Sequence, residues 1–194
     1  IEFINILKKM NVKELFVGKD FRYGKNREGT IYSLQDYFDV HVLDILNNDE
    51  KKISTHEIKN LIQNGNIKNA SKLLGRNYTI SGSIIKGNQI GRSIGFPTIN
   101  LKLNDNYVLP KFGVYKTICY IDNVPHISIT NVGVKPTIGK SNKPNVEVHL
   151  KDVDKDISGD VVIVEFIDFI REERKFSSLE ELKEQISKDV KEVF

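Results

Sequence analysis

The chain has 194 residues, 39% of them hydrophobic and 28% charged, with a formal net charge of +3. That balance fits a globular protein of one or two domains, and its mild basicity does not call for a nucleic-acid partner. Its one cysteine, Cys119, excludes an intrachain disulfide and a cysteine-built metal cluster. No apolar run reaches membrane-spanning length and none has the form of a signal peptide, so a membrane partner is not expected and a cytoplasmic location is. The chain opens on Ile1 and its one methionine is Met10, from which a longer polypeptide is expected.

The first third reads as α/β. A helix tail around Phe3–Met10 leads into the apolar run Glu14–Val17, a buried-strand pattern. The segment 18–29 is a glycine-rich loop carrying several Lys and Arg residues. A helix is expected near Ser33–Phe38, and the alternation of 39–45 predicts a second strand. In 54–65 Ser54 is the expected N-cap, with Glu57 completing a capping box. Ile58, Leu61 and Ile62 supply the apolar face, and Gly65 the stop. A further short helix, Ile67–Leu74, ends at Gly75, and a domain boundary is expected near 75–77.

From Tyr78 the pattern turns to short strands: Tyr78–Lys86, Thr98–Leu103, Gly113–Ile121, Val124–Asn131, Val146–Lys151 and Val161–Ile170. Turn signals between them predict an antiparallel barrel or sandwich. The chain closes on a helix with Leu179, Leu182, Ile186, Val190 and Val193 on one face, capped by Ser177 with Glu180. The expected class is α+β.

The stretch GRSIGFPTINL, residues 91–101, carries the most chemistry. Pro97 is tolerated at a strand's first position, and the strand then sends Ile99, Leu101 and Leu103 one way and Thr98 and Asn100 the other. Gly91 and Gly95 let backbone N–H groups approach a phosphate, and Arg92 adds a matching charge. A hydroxyl and an amide oxygen are suitable Mg²⁺ ligands beside phosphates and waters. A β-turn followed by an edge strand with a solvated polar face fits the same residues, and both readings stand. In VEVHL, alternation puts Val146, Val148 and Leu150 on one face and Glu147 with His149 on the other, making Glu147 a candidate general base. His149 reads as structural. Arg171 follows the apolar run 161–170, which delivers it to a defined place, whereas Arg174 and Lys175 read as solvated charges.

These residues resemble the glycine loop and Pro-Thr-Ala-Asn motif of riboflavin kinases, with Ile99 in the alanine position. Further segments (78–101, 112–123, 127–139, 146–152 and 170–189) follow that family's order and spacing. The resemblance implies a Greek-key β-barrel over 77–194 that makes FMN from riboflavin with ATP as phosphate donor. It implies that Thr98 and Asn100 hold Mg²⁺ and the ATP phosphates. Gly91 to Phe96, with Pro97 beyond, would form a flap over the nucleotide. Glu147 would be the catalytic base, and Arg171 would lie near the flavin and the transferring phosphate. No Walker loop and no protein-kinase motif set is present, so phosphoryl transfer would run on another scaffold.

Residues 16–30 resemble FMN adenylyltransferases, the Rossmann-like domain fused ahead of the kinase in bacterial bifunctional enzymes (FAD synthetases), and residues 53–78 resemble the segment that joins the two domains. Residues 1–76 would be the C-terminal part of that domain with its linker helices. Its His-x-Gly-His motif has no counterpart here, and Lys59 stands where the family has an arginine, which grips phosphate differently. The resemblance thus implies FMN but little FAD from this chain. A non-catalytic flavin- or nucleotide-binding module is the alternative. A nucleic-acid-binding barrel, drawing on Phe112, Tyr115 and Tyr120, is disfavoured because stacking platforms come with a stronger positive groove.

Overall fold

The computed structural model describes residues 2–44, 47–48, 51–87, 91, 94–104, 106–134, 144–151 and 160–194, in two compact units, Ile1–Ile53 and Ser54–Phe194. The first unit holds α1 (Glu2–Lys9), β1 (Glu14–Gly18), α2 (Ile31–Gln35), β2 (Asp39–Leu43), β3 (Asn47–Asn48) and β4 (Lys51–Lys52). Strands β1 and β2 run parallel, joined through α2, while Ile4, Leu34 and Phe38 form the core. Helix α2 starts two residues earlier than its sequence pattern predicts. Thr30 is the N-cap: its hydroxyl accepts the Ser33 N–H at 3.3 Å, and the Ser33 hydroxyl accepts the Thr30 N–H at 3.1 Å. This reciprocal cap fixes the start at Ile31. The short β3–β4 ladder has no signature in its Asn and Lys residues, which disfavour strands.

The second unit opens with α3 (Thr55–Gln63) and α4 (Ile67–Leu74). Ser54 caps α3 as expected, accepting the Glu57 N–H at 3.2 Å, and Gly75 ends α4 in the left-handed region at φ 69°. The barrel strands are β5 (Tyr78–Ile85), β6 (Thr98–Leu103), β7 (Gly113–Ile121), β8 (Val124–Val134), β9 (Pro144–Leu150) and β10 (Val161–Glu172). They close in the order β10-β5-β6-β9-β8-β7, every pair antiparallel. The consecutive strands β7, β8 and β9, with β6 beside β9, make a Greek key.

The interior is packed solid. Tyr115, Val132, Val148, Val164 and Phe166 are fully buried there, with the Tyr115 ring edge-on to Phe166 at 5.2 Å. Burial of Tyr115 removes it from any stacking surface. Thr117, Ser128 and Thr130 are also inside, and the Thr117 hydroxyl lies 2.8 Å from each of the other two hydroxyls, so these buried polar groups satisfy one another.

Helix α5 (Leu179–Val193) lies on the outer face of the barrel, where Val190, Val193 and the C-terminal Phe194 pack on Val114 and Ile129. Its cap is Ser178, which accepts the Glu181 N–H at 3.2 Å, and not Ser177. Ser177 instead donates its N–H and hydroxyl to the Glu181 carboxylate, at 3.0 and 2.9 Å, and holds that acid below its ordinary range. The Ser pair shares the work, so the cap shifts by one residue. Strand β10 carries irregularities between Phe166 and Asp168 and between Phe169 and Arg171. The first sets Asp168 opposite Lys116 and Phe169 opposite Tyr115, a reversal of the alternation begun by Val162, Val164 and Phe166, and the second restores it at Arg171, opposite Val114. Among the described residues no helix is long and apolar enough to cross a membrane.

Burial pushes the Cys119 thiol up from 9.0 to about 12, and the Tyr78 phenol from 10.0 to about 12. Both groups therefore favour the fold below their unfolded values, and that contribution is lost as pH climbs toward 12. The folded chain is expected to resist iodoacetamide at pH 8, whereas the urea-unfolded chain is alkylated at Cys119. Mass spectrometry of both states checks this, and prompt alkylation of the native chain would contradict it.

Candidate active site

Pro97 ends the glycine turn, and Thr98 begins β6 as the alternation predicts. Pairing with β9 then sets Thr98 opposite His149 and Asn100 opposite Glu147. On its other side β9 sets Glu147 opposite Asn131 of β8. Asn131 in turn faces Val114 of β7, and Val114 faces Arg171 of β10. Directly opposed residues share a face with Cβ atoms about 4.5–5.5 Å apart. A single row, Asn100–Glu147–Asn131–Val114–Arg171, thus crosses five strands on the outside of the barrel.

The turn ahead of β6 is tightly wound. Phe96 N–H donates to the Gly91 carbonyl at 2.8 Å, and a Cβ on Gly91 would come within 2.3 Å of the Phe96 carbonyl oxygen. Gly95 sits at φ 88°, a conformation that favours glycine. Arg92 lies outside the described residues. His149 ties the turn to β9: its Nδ1–H donates to the Pro97 carbonyl at 2.8 Å, and its ring meets Phe96 edge-on at 5.7 Å and Phe194 at 6.2 Å. A carbonyl can only accept, so the proton is on Nδ1.

A cavity of about 280 Å³ opens between this outer face and α5. Gly91, Ile94, Phe96 and Thr98 line it from the turn side, and Glu147, His149, Asn131 and Arg171 from the sheet. Leu182, Ile186 and Asp189 of α5 close it, with Glu173, Arg174 and Phe176 from the connecting segment. Thr98 and Glu147 therefore share one cavity, on adjacent strands. Asn100 is in the same row but is only 3% exposed and is not part of the cavity wall. Its amide lies against Gly87, where a Cβ would come within 2.1 Å of Nδ2.

The Glu147 carboxylate accepts from the Asn145 amide at 2.8 Å, which leaves further lone-pair positions on its oxygens. Arg171 is held from the side by Asp189: Nε–H lies 3.0 and 3.1 Å from the two carboxylate oxygens and Nη2–H donates to Oδ2 at 2.7 Å. A third cavity-wall carboxylate, Glu173, accepts from Asn131 at 3.2 Å. The cavity thus combines one proton acceptor on a strand, neutral oxygen and nitrogen donors, and a fixed cation. That set suits proton removal from a hydroxyl beside a bound anion.

By sequence pattern His149 reads as structural and Arg174 as a solvated charge, yet both stand in the cavity wall. Asp189, Asn131, Glu173 and Phe176 went unnoticed. Only Asp189 leaves a readable sign, as a carboxylate inside the apolar stripe of Ile186, Val190 and Val193.

The riboflavin kinase family model matches residues 74–194, and the FAD synthetase model matches residues 1–59. A bifunctional riboflavin kinase/FMN adenylyltransferase of Bacillus subtilis is 38% identical over 189 residues, covering 94% of this chain and 60% of the relative. The protein of the same name from Buchnera aphidicola of Acyrthosiphon pisum is 40% identical over 195 residues, covering 96% of this chain and 62% of that one. A crystal structure from Streptococcus pneumoniae, described as a macrolide-efflux protein, superposes with a TM-score of 0.84 at 33% identity, covering 96% of this chain and 62% of that chain. The chain spans about 60% of the length of the curated relatives it matches. A barrel with this strand order, carrying the matched segments along its whole length, belongs to the riboflavin kinase family.

Proposed function

We propose that residues 77–194 form a kinase domain that transfers the γ-phosphate of ATP to the 5′-hydroxyl of riboflavin, giving FMN and ADP. The observation that carries the reading is the β6–β9 register, in which Glu147 faces Asn100 two pairs along from Thr98, beside a cavity that both Thr98 and Glu147 line. Phosphoryl transfer needs in-line placement and charge neutralisation more than covalent help, and this site offers both kinds of group.

In this reading Glu147 accepts the proton of the ribityl 5′-hydroxyl as its oxygen bonds to the γ-phosphorus and the bond to the ADP oxygen breaks. The Asn145 amide orients the carboxylate. The segment from Gly91 to Phe96 covers the nucleotide, its two ends drawn together by the Gly91–Phe96 hydrogen bond. Arg171 offers N–H donors to phosphate oxygens. A divalent cation suits the donor chemistry: the Thr98 hydroxyl, in the cavity wall, and the amide oxygen of Asn100, two residues on along the same strand face and outside that wall, are hard, neutral donors. Thr98 and Asn100 would hold Mg²⁺, which neutralises phosphate charge when bound. Residues 1–76 would belong to an FMN adenylyltransferase domain with its linker, an activity of a longer protein.

Riboflavin with ATP and Mg²⁺ is expected to yield FMN and ADP, separable by chromatography. Glu147→Gln should lower kcat by about a hundredfold or more while riboflavin affinity, read by flavin fluorescence, stays near wild type. Near-normal turnover in that variant would remove the base assignment, and fluorescence quenching without any phosphate transfer would favour a binding module. Gly91→Ala should raise the KM for ATP about tenfold, inside the range that a displacement of about 1 Å can cost. An unchanged KM would detach the turn from nucleotide binding. Incubated with FMN, ATP and Mg²⁺, the chain should form no FAD above background, and steady FAD production would overturn that expectation.

A further inference from the structure

Asp189 is the one carboxylate of α5 that the fold buries. It is 3% exposed, and its helical neighbours Ile186, Val190 and Val193 all turn toward the barrel. Its two oxygens receive Arg171 along the Nε–Nη2 edge, and Gln185 Nε2 donates to Oδ1 at 2.8 Å. The carboxylate is thereby saturated and shielded, which rules it out as a proton acceptor for a substrate. The guanidinium is not saturated. Of its five N–H donors the described residues take three: Nε–H and one Nη2–H by Asp189, and one Nη1–H by the Glu172 carbonyl at 3.1 Å. Arg171 also lines the cavity.

Stability alone explains this pair poorly. Desolvating two charges offsets most of their attraction, and an apolar residue in place of a buried pair is often neutral or stabilising. A leucine at 189 would suit its helix neighbours. What the pair supplies is orientation. Glu173, two residues along the chain and in the same cavity wall, offers a competing carboxylate to a long side chain that is free to turn.

We infer that Asp189 is a positioning residue: from the C-terminal helix it fixes the Arg171 guanidinium so that its remaining N–H donors meet a phosphate group in the cavity, which makes the docking of α5 a condition of anion recognition. This rests on the proposed kinase reading for the identity of the phosphate, namely that of a nucleotide. The pair acts as a unit, so losing either partner removes the same contribution.

The test uses the whole chain with Asp189→Leu, Arg171→Met and the double variant, with Asp189→Asn as a second route should the leucine variant not fold. Melting temperature, ADP affinity by calorimetry in the presence of Mg²⁺, and kcat are measured for each. Asp189→Leu should melt near wild type, bind ADP about tenfold more weakly and lose about tenfold in kcat, and Asp189→Glu should recover part of both. In the Arg171→Met background, replacing Asp189 should change neither quantity further. Wild-type ADP affinity and kcat in Asp189→Leu and Asp189→Asn, or a full additional loss in the Arg171→Met background, would overturn the inference, as would failure of both Asp189→Leu and Asp189→Asn to fold. A wild-type chain that binds ADP but makes no FMN would sink the kinase reading, while the ADP affinities would still decide the role of Asp189. A chain that does not bind ADP would sink both.

Discussion

Strand β9 hydrogen-bonds to β6 with Asn100 opposite Glu147 and to β8 with Asn131 opposite Glu147, while its alternate residues Val146, Val148 and Leu150 fill the barrel. The second fact enforces the first. A one-residue slip would turn those three apolar side chains outward, at roughly 1.5–3 kcal/mol each, and drive Glu147 and His149 into the interior. The penalty rivals the whole stability of a domain, roughly 5–15 kcal/mol. Core packing therefore sets the distance between the acid on β9 and the polar residues on β6. The site's geometry is a consequence of burial on the other face of the same strands.

Closure of six strands leaves no room for a ligand inside. Even about eight strands make a barrel just wide enough for its own side chains, and here Tyr115, Phe166 and the valines occupy the space. A binding site must then be assembled outside, on a convex surface that cannot enclose anything by itself. Helix α5 and the turn before β6 supply the missing walls. The helix is anchored twice, by Val190, Val193 and Phe194 on Val114 and Ile129, and by Asp189 on Arg171. His149 joins the two walls, since its ring touches both Phe96 and Phe194.

Much of this was legible in the residues. Alternation in β6 and β9 separates the inner face from the outer one correctly, because a two-residue period has only one way to satisfy a buried face. Ser54 and Gly75 mark helix ends through local hydrogen bonding and backbone geometry that need no tertiary partner. The failures have equally local reasons. At 177–178 two serines compete for one cap, and the carboxylate of Glu181 decides between them. In β10 one register shift reverses Asp168 and Phe169 and a second restores the alternation at Arg171, which no hydrophobic pattern can announce. The row from Asn100 to Arg171 joins strands far apart in sequence, so periodicity reveals each member's face but not its neighbour. Resemblance to a family supplied the names of Thr98, Asn100, Glu147 and Arg171, and strand pairing supplied the reason the first three adjoin. Asp189 escaped both, although a carboxylate in an apolar helical stripe was visible as an anomaly.

The charges around the cavity are arranged so that the acid and the cation do not spoil each other. A guanidinium paired with Glu147 would favour the ionised carboxylate and weaken it as a proton acceptor. The fold avoids this by giving Arg171 its own carboxylate at the far end of the row, with Asn131 and Val114 between. Glu147 has a neutral amide, Asn145, as its close partner. In the proposed reaction Arg171, already balanced by Asp189, would add directed N–H donors without much net field, so that an anion would be met by geometry more than by bulk charge. In the proposed reaction that division matters, because a strongly positive cavity would hold a triphosphate and its diphosphate product alike, and uniform binding of this kind does not speed the chemical step.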